Sequence, residues 1–138
     1  MTKVLLVDDD AKTRDVLKRR LVVEGYQVFE AADAESALQQ YRLSPPDLVV
    51  ADLRLPGSSG EQLIYDLRRE YGAVRVIAIS GAPERLATLE AETVVKTLLN
   101  PFTSEQLIEA LGGVMAGGAG PSLWTRLRAF VRLAMSPS

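Results

Sequence analysis

The chain contains no cysteine and no histidine. The first absence excludes disulfides, thiolate metal sites and thiol catalysis. The second excludes imidazole general bases, Ser-His-Asp triads and phosphohistidine carriers. Long apolar runs are lacking as well. The opening MTKVLLVDDD passes from a short apolar stretch straight into three acids, too short for a signal peptide or a membrane span, so a cytoplasmic location is expected. Whatever chemistry the chain performs must use carboxylates, hydroxyls, amides, Lys or Arg.

What is present fits an ordinary globular domain. The 138 residues are 47% hydrophobic and 25% charged, and a chain of this size buries roughly 68% of its unfolded surface, enough for a core without covalent staples. Net charge is −2, unevenly divided: residues 1–112 hold 13 basic and 18 acidic residues (−5), and Arg126, Arg128 and Arg132 give the remainder +3. An acidic body argues against nucleic acid as a partner.

Short apolar runs alternate with stretches of helical period, the pattern of a parallel sheet covered by helices on both faces. Five strands are expected, at Val4–Val7, Gln27–Glu30, Leu48–Ala51, Val74–Ile79 and Val94–Leu98, with the first, third and fourth apolar enough to be central. Leu17 and Leu21 mark one helix, Ala34, Leu38 and Tyr41 a second, and Leu63, Ile64, Leu67 and Tyr71 a third. Pro83 suits a first helical turn before Leu86 and Leu89. Thr103 and Gln106 form a capping box for a helix whose inner face is Leu107, Ile108 and Leu111. Five of the 10 glycines then follow between Gly112 and Gly120, which divides the chain into a body at 1–112, a flexible linker at 113–122 and a tail at 123–138. In the tail, Leu123, Leu127, Phe130, Val131 and Ala134 share one face of a basic amphipathic helix, Leu123–Met135. Such a helix can dock on a partner or on the body, or make a weak membrane contact through its three Arg.

In a doubly wound sheet of order 2-1-3-4-5, ligands bind beyond the carboxyl ends of strands one and three, where the connections leave toward opposite faces. Asp8, Asp9 and Asp10 follow the first strand directly and Asp52 follows the third. Carboxylates converging there repel one another unless a cation intervenes, and Mg²⁺ suits a few carboxylate oxygens completed by water and phosphate oxygens. The plainer reading is that Asp8–Asp10 cap the first helix and Asp52 is a loop acid.

Over residues 1–112 the sequence resembles the receiver domains of two-component response regulators. VLLVDDD matches the acidic pocket, VVADLRLPG the phosphoacceptor strand and its loop, AISGA the switch hydroxyl, and NPFT the end of strand five. The resemblance implies an α/β fold, a flavodoxin-like doubly wound five-stranded parallel sheet, with the C-terminal amphipathic helix as an addition. It also implies that Asp52 is phosphorylated by a partner histidine kinase or phosphotransfer protein. Asp9, Asp52 and the backbone carbonyl of Arg54 would bind Mg²⁺, Asp8 would act through bound water, and Ser80 would hydrogen-bond the phosphoryl group. A carboxylate can form an acyl phosphate, and a metal can clamp the developing charge.

Two departures stand out. Asn100 occupies the position of the family's Lys, four residues and roughly 13 Å along an extended strand from Lys96, and Thr97 occupies that of its aromatic switch residue. Arg54, two residues after Asp52, could lean over the site as a substitute charge, or could be a solvated loop residue. Output is expected through contact with an unidentified protein, because the 26 residues after Gly112 are too few and too glycine-rich for a helix-turn-helix. The competing reading is a degenerate receiver that docks partners without phosphorylation. A third, enzymatic reading rests on the Asp8-x-Asp10 pair, as in haloacid-dehalogenase-like phosphatases, and is opposed by Lys12 where that family has Thr or Val.

Overall fold

A computed structural model describes residues 1–89 and 96–116. The strands are β1 (Lys3–Val7), β2 (Gln27–Ala31), β3 (Leu48–Asp52), β4 (Val76–Ser80) and β5 (Lys96–Leu99). The helices are α1 (Ala11–Val23), α2 (Ala34–Leu43), α3 (Gly60–Tyr71), α4 (Pro83–Ala87) and α5 (Ser104–Ala116). All strand pairs are parallel, in the order β2-β1-β3-β4-β5.

The pleat divides the apolar strand residues between two layers. Leu5, Val7, Val49, Ala51, Val76 and Ala78 pack toward α2 and α3, meeting Ala37, Tyr41, Leu63, Ile64 and Leu67. Val4, Leu6, Val50, Ile77 and Ile79 face the other way, onto Leu17 and Leu21 of α1 and Leu107, Ala110 and Leu111 of α5. β1, β3 and β4 are thus covered on both sides, as their unbroken apolar runs require, and each fully buried Leu contributes roughly 1.5–3 kcal/mol. Truncating one such residue, Leu21, would cost about 2–5 kcal/mol because a cavity is added to the lost transfer energy.

Local signals set several boundaries. Asp10 caps α1, its side chain accepting from the Lys12 amide at 3.1 Å and the Thr13 hydroxyl at 2.7 Å. The Thr103–Gln106 box is reciprocal, at 2.7 and 3.1 Å. Pro83 opens α4 at its first turn.

Other boundaries differ from the sequence expectation. β4 begins at Val76 rather than Val74: Val74 is buried but precedes the strand, since an apolar run does not record where pairing starts. β3 includes Asp52, which is paired with Ile79 rather than lying beyond the strand. β5 extends to Leu99, while residues 94 and 95 of the expected fifth strand lie outside the described residues. Tyr71, expected on the inner face of α3, is 38% exposed and packs its ring on Tyr41 at 4.5 Å instead. The expected linker is helical over its first residues, with α5 continuing through Gly112 and Gly113 to Ala116. Val114 and Met115 extend the stripe of Leu111 at helical spacing and pack on the core, which offsets about 1 kcal/mol of helix propensity lost at each glycine. The remainder of the linker and the expected helix Leu123–Met135 lie outside the described residues.

Candidate phosphoacceptor site

Strand register brings the singled-out acids together. Val7 pairs with Ala51, so Asp8 and Asp52, one residue on, end adjacent strands at the same level. Asp52 pairs with Ile79, placing Ser80 one residue further along β4. Ser80 pairs with Leu99, placing Asn100 just beyond β5. Asp8, Asp52, Ser80 and Asn100 therefore line one edge of the sheet, at the carboxyl ends of its strands.

The three consecutive acids do different work. Asp8 is buried, at 6% exposure; its Oδ1 accepts the Asp10 amide at 2.8 Å and its carbonyl accepts Nη1 of Arg14 at 2.6 Å. Asp9 is exposed. Asp10 is the helix cap, its carboxyl held below the usual range chiefly by the Thr13 hydroxyl. The plainer reading of these residues thus holds for Asp10, while Asp8 turns into the sheet edge beside Asp52.

Burial is the main cause that raises the carboxyls of both Asp8 and Asp52 above the ordinary carboxylate value. The field of Asp52 and Asp9 adds to this at Asp8, and that of Asp9 at Asp52. Opposing it at Asp52 are the Arg54 amide, which donates to Oδ1 at 2.8 Å, and the charges of Arg54 and Arg85. These carboxylates are short of positive charge. Among the described residues no three acids converge into a ready-made metal cage. Mg²⁺ does not need one: it binds through one or two carboxylates, with carbonyl, water and phosphate oxygens completing its shell. The donor types at Asp9, Asp52 and the Arg54 carbonyl, with Asp8 behind them, fit such an ion.

The loop after β3 is set by close approach. Gly60 lies against the backbone of Asp52 and Leu53, and its amide donates to the Leu53 carbonyl at 2.9 Å. Ser80 is buried, with its hydroxyl accepting from the Ala82 amide at 3.0 Å and reaching the Ala82 carbonyl at 3.4 Å. Asn100 is exposed and ties the strand ends together through its main chain, donating to the Ser80 carbonyl at 2.8 Å. Arg54 is exposed too. Thr97 is exposed opposite Ala78, and Lys96 lies opposite Ile77, at the amino end of β5 and away from the acids.

Besides Arg14 on the Asp8 carbonyl, a second cation at the site was not singled out from the sequence. Arg85 of α4 reaches across to the residue just after β3, where Nη2 donates to the Leu53 carbonyl at 2.8 Å, while Nε donates to Glu61 at 2.8 Å and Nη2 completes a two-pronged pair with that carboxylate. The available signal was its place two residues after Pro83, in the turn that leaves β4 toward the acidic edge.

Residues 4–112 match the response regulator receiver domain family. The chain is 34% identical over 115 residues to the "Probable transcriptional regulator ycf27" of Porphyridium aerugineum, covering 82% of this chain and 48% of that protein. It spans about half the length of the first curated relatives it matches. Among solved structures, it is similar to the response regulator TrrA of Thermotoga maritima in complex with Mg²⁺-BeF (26% identity, TM-score 0.76, 82% of this chain and 98% of that one). It is also similar to the chemotaxis response regulator CheY4 of Vibrio cholerae (28% identity, TM-score 0.77, 83% and 99%). The matched span and the strand order thus agree with the comparisons, and the chain belongs to the response-regulator receiver domain family of two-component signalling systems.

Proposed function

We propose that Asp52 accepts a phosphoryl group from a partner histidine kinase or phosphotransfer protein, and that the resulting aspartyl phosphate changes the contacts this domain makes with an output protein. The observation that carries this reading is the position of Asp52 at the end of the central strand β3, level with buried Asp8, its Oδ1 held by the Arg54 amide. That bond fixes the carboxylate's orientation for attack on phosphorus.

The chain's other residues take complementary parts. Bound by Asp9, Asp52 and the Arg54 carbonyl, with Asp8 acting through water, Mg²⁺ would supply the charge that neutralises the phosphoryl oxygens. Ser80 turns its hydroxyl from the long 3.4 Å contact with the Ala82 carbonyl to the phosphoryl group. Asn100 offers a neutral donor where the family's Lys would bring a charge. Self-catalysed transfer to and hydrolysis from Asp52 is the whole of the chemistry. A cytoplasmic location and output through protein contact accord with the acidic body of the chain and with the lack, among the described residues, of a helix long and apolar enough to cross a membrane.

One observation favours a second reading. With Asn100 in place of the Lys, the domain could serve as a phosphorylation-independent docking module. Labelling with acetyl phosphate, followed by intact-mass measurement with and without Mg²⁺, separates the two: a Mg²⁺-dependent phosphoryl adduct supports the first, and an unmodified chain the second.

A further inference from the structure

The missing ammonium at position 100 leaves a question about charge. Phosphorylation replaces the singly charged carboxylate of Asp52 with an acyl phosphate carrying roughly two negative charges, at a site that already lies among carboxylates. Two arginines are anchored at this edge among the described residues: Arg14, on the Asp8 carbonyl and Glu30, and Arg85, which is the one fixed beside Asp52. Leu53 directly follows Asp52, and the Leu53 carbonyl accepts from Nη2 of Arg85 at 2.8 Å, which fixes the guanidinium one residue from the phosphoacceptor. Its other bonds go to Glu61, through Nε at 2.8 Å and through Nη2. Both Nη1 donors are uncommitted among the described residues. Arg54 contributes its main-chain amide and a charge that also acts on Asp52, but from an exposed side chain.

We propose that Arg85 is the phosphoryl-binding cation of this receiver, and that Glu61 holds it in reserve as a competing anion. This rests on the phosphoacceptor reading of Asp52 and adds to it the source of positive charge. In the transfer itself, an Asp52 carboxylate oxygen forms the new bond to phosphorus as the bond from phosphorus to the donor's leaving group breaks. With acetyl phosphate, acetate departs with that bond's electron pair. The phosphoryl oxygens then compete with Glu61 for the guanidinium, whose planar fork suits either oxyanion. The Glu61–Arg85 pair is about a third exposed, so its net hold is weak and exchange to a doubly charged oxyanion is favourable. Because Arg85 lies on α4 and Glu61 on α3, the exchange also uncouples these helices at the site edge.

The test is the rate of Asp52 labelling by acetyl phosphate in Mg²⁺, followed by intact mass on the full chain. Arg85→Ala should slow labelling roughly tenfold or more, the range of a lost charge-assisted bond. Glu61→Gln, which frees the guanidinium, should speed it. Glu61→Gln placed in the Arg85→Ala background should give no acceleration, and Asn100→Lys in that background should restore the rate. A structural clamp between α3 and α4 would make Glu61→Gln and Arg85→Ala slow together. A plain change of local charge would make Glu61→Gln accelerate labelling with or without Arg85. Either result overturns the assignment while leaving Asp52 as phosphoacceptor. A native chain that takes no phosphoryl group overturns the assignment and the phosphoacceptor reading together.

Discussion

Gly60 and Leu53 are in backbone contact: the Gly60 amide donates to the Leu53 carbonyl at 2.9 Å, and a Cβ at position 60 would lie 2.5 Å from the Leu53 Cα. The same carbonyl receives Arg85. The start of α3, the end of β3 and the guanidinium are therefore fixed to one peptide unit beside Asp52.

Gly60→Ala is expected to destabilise the fold by about 2–3 kcal/mol, because the colliding atoms are backbone and cannot turn aside as a side chain would. Thermal unfolding would register this as a drop in Tm of several degrees, and labelling of Asp52 should fall with it. An unchanged Tm would show that the close approach is relieved without cost.

Asp52→Asn is expected to stabilise the protein at neutral pH. The carboxyl of Asp52 is raised above its ordinary value, chiefly by burial. The folded state therefore favours the protonated acid, and the resulting stability is present at low pH and lost as pH rises through the raised value. At pH 7 the ionised carboxylate is a cost to the fold, and the amide removes it while keeping an oxygen for the Arg54 amide. Tm should rise by a few degrees at pH 7, and the difference should vanish below about pH 3.9, the unfolded value. A gain that persists at low pH would assign the effect to something other than charge.

Mg²⁺ should raise the Tm of the native protein in proportion to the logarithm of its concentration once the site saturates. Asp9→Asn and Asp52→Asn should each remove most of that increase, and a chelator should reverse it. Equal increases in all three proteins would place the ion elsewhere.

Arg54→Ala should slow labelling only about two- to threefold, as befits an exposed charge screened by water, and less than Arg85→Ala does. Asn100→Lys in the native background should accelerate labelling. Rates that rank Arg54 above Arg85 would give the charge role to the loop residue.

The central strands were legible because burial on both faces demands continuous apolar runs, and β1, β3 and β4 have them. Asp8, Asp52, Ser80 and Asn100 were legible because each stands at a strand's carboxyl end, where parallel register alone makes them neighbours. The extension of α5 through Gly112 and Gly113 was not, since glycine content argues for a linker and only packing of Val114 and Met115 decides otherwise. Arg85 was hidden for a related reason. Its significance depends on where a five-residue helix begins and which way a long side chain reaches, and neither has a periodic signature. The division of labour among Asp8, Asp9 and Asp10 likewise required knowing that Thr13 and the Lys12 amide engage Asp10.

The most direct test of the phosphoacceptor reading is intact-mass measurement, with site localisation, after treating the full chain with acetyl phosphate. One added phosphoryl group on Asp52, dependent on Mg²⁺ and missing from Asp52→Asn, is the expected result. An adduct of full strength on Asp52→Asn, or no adduct on the native chain, would contradict it.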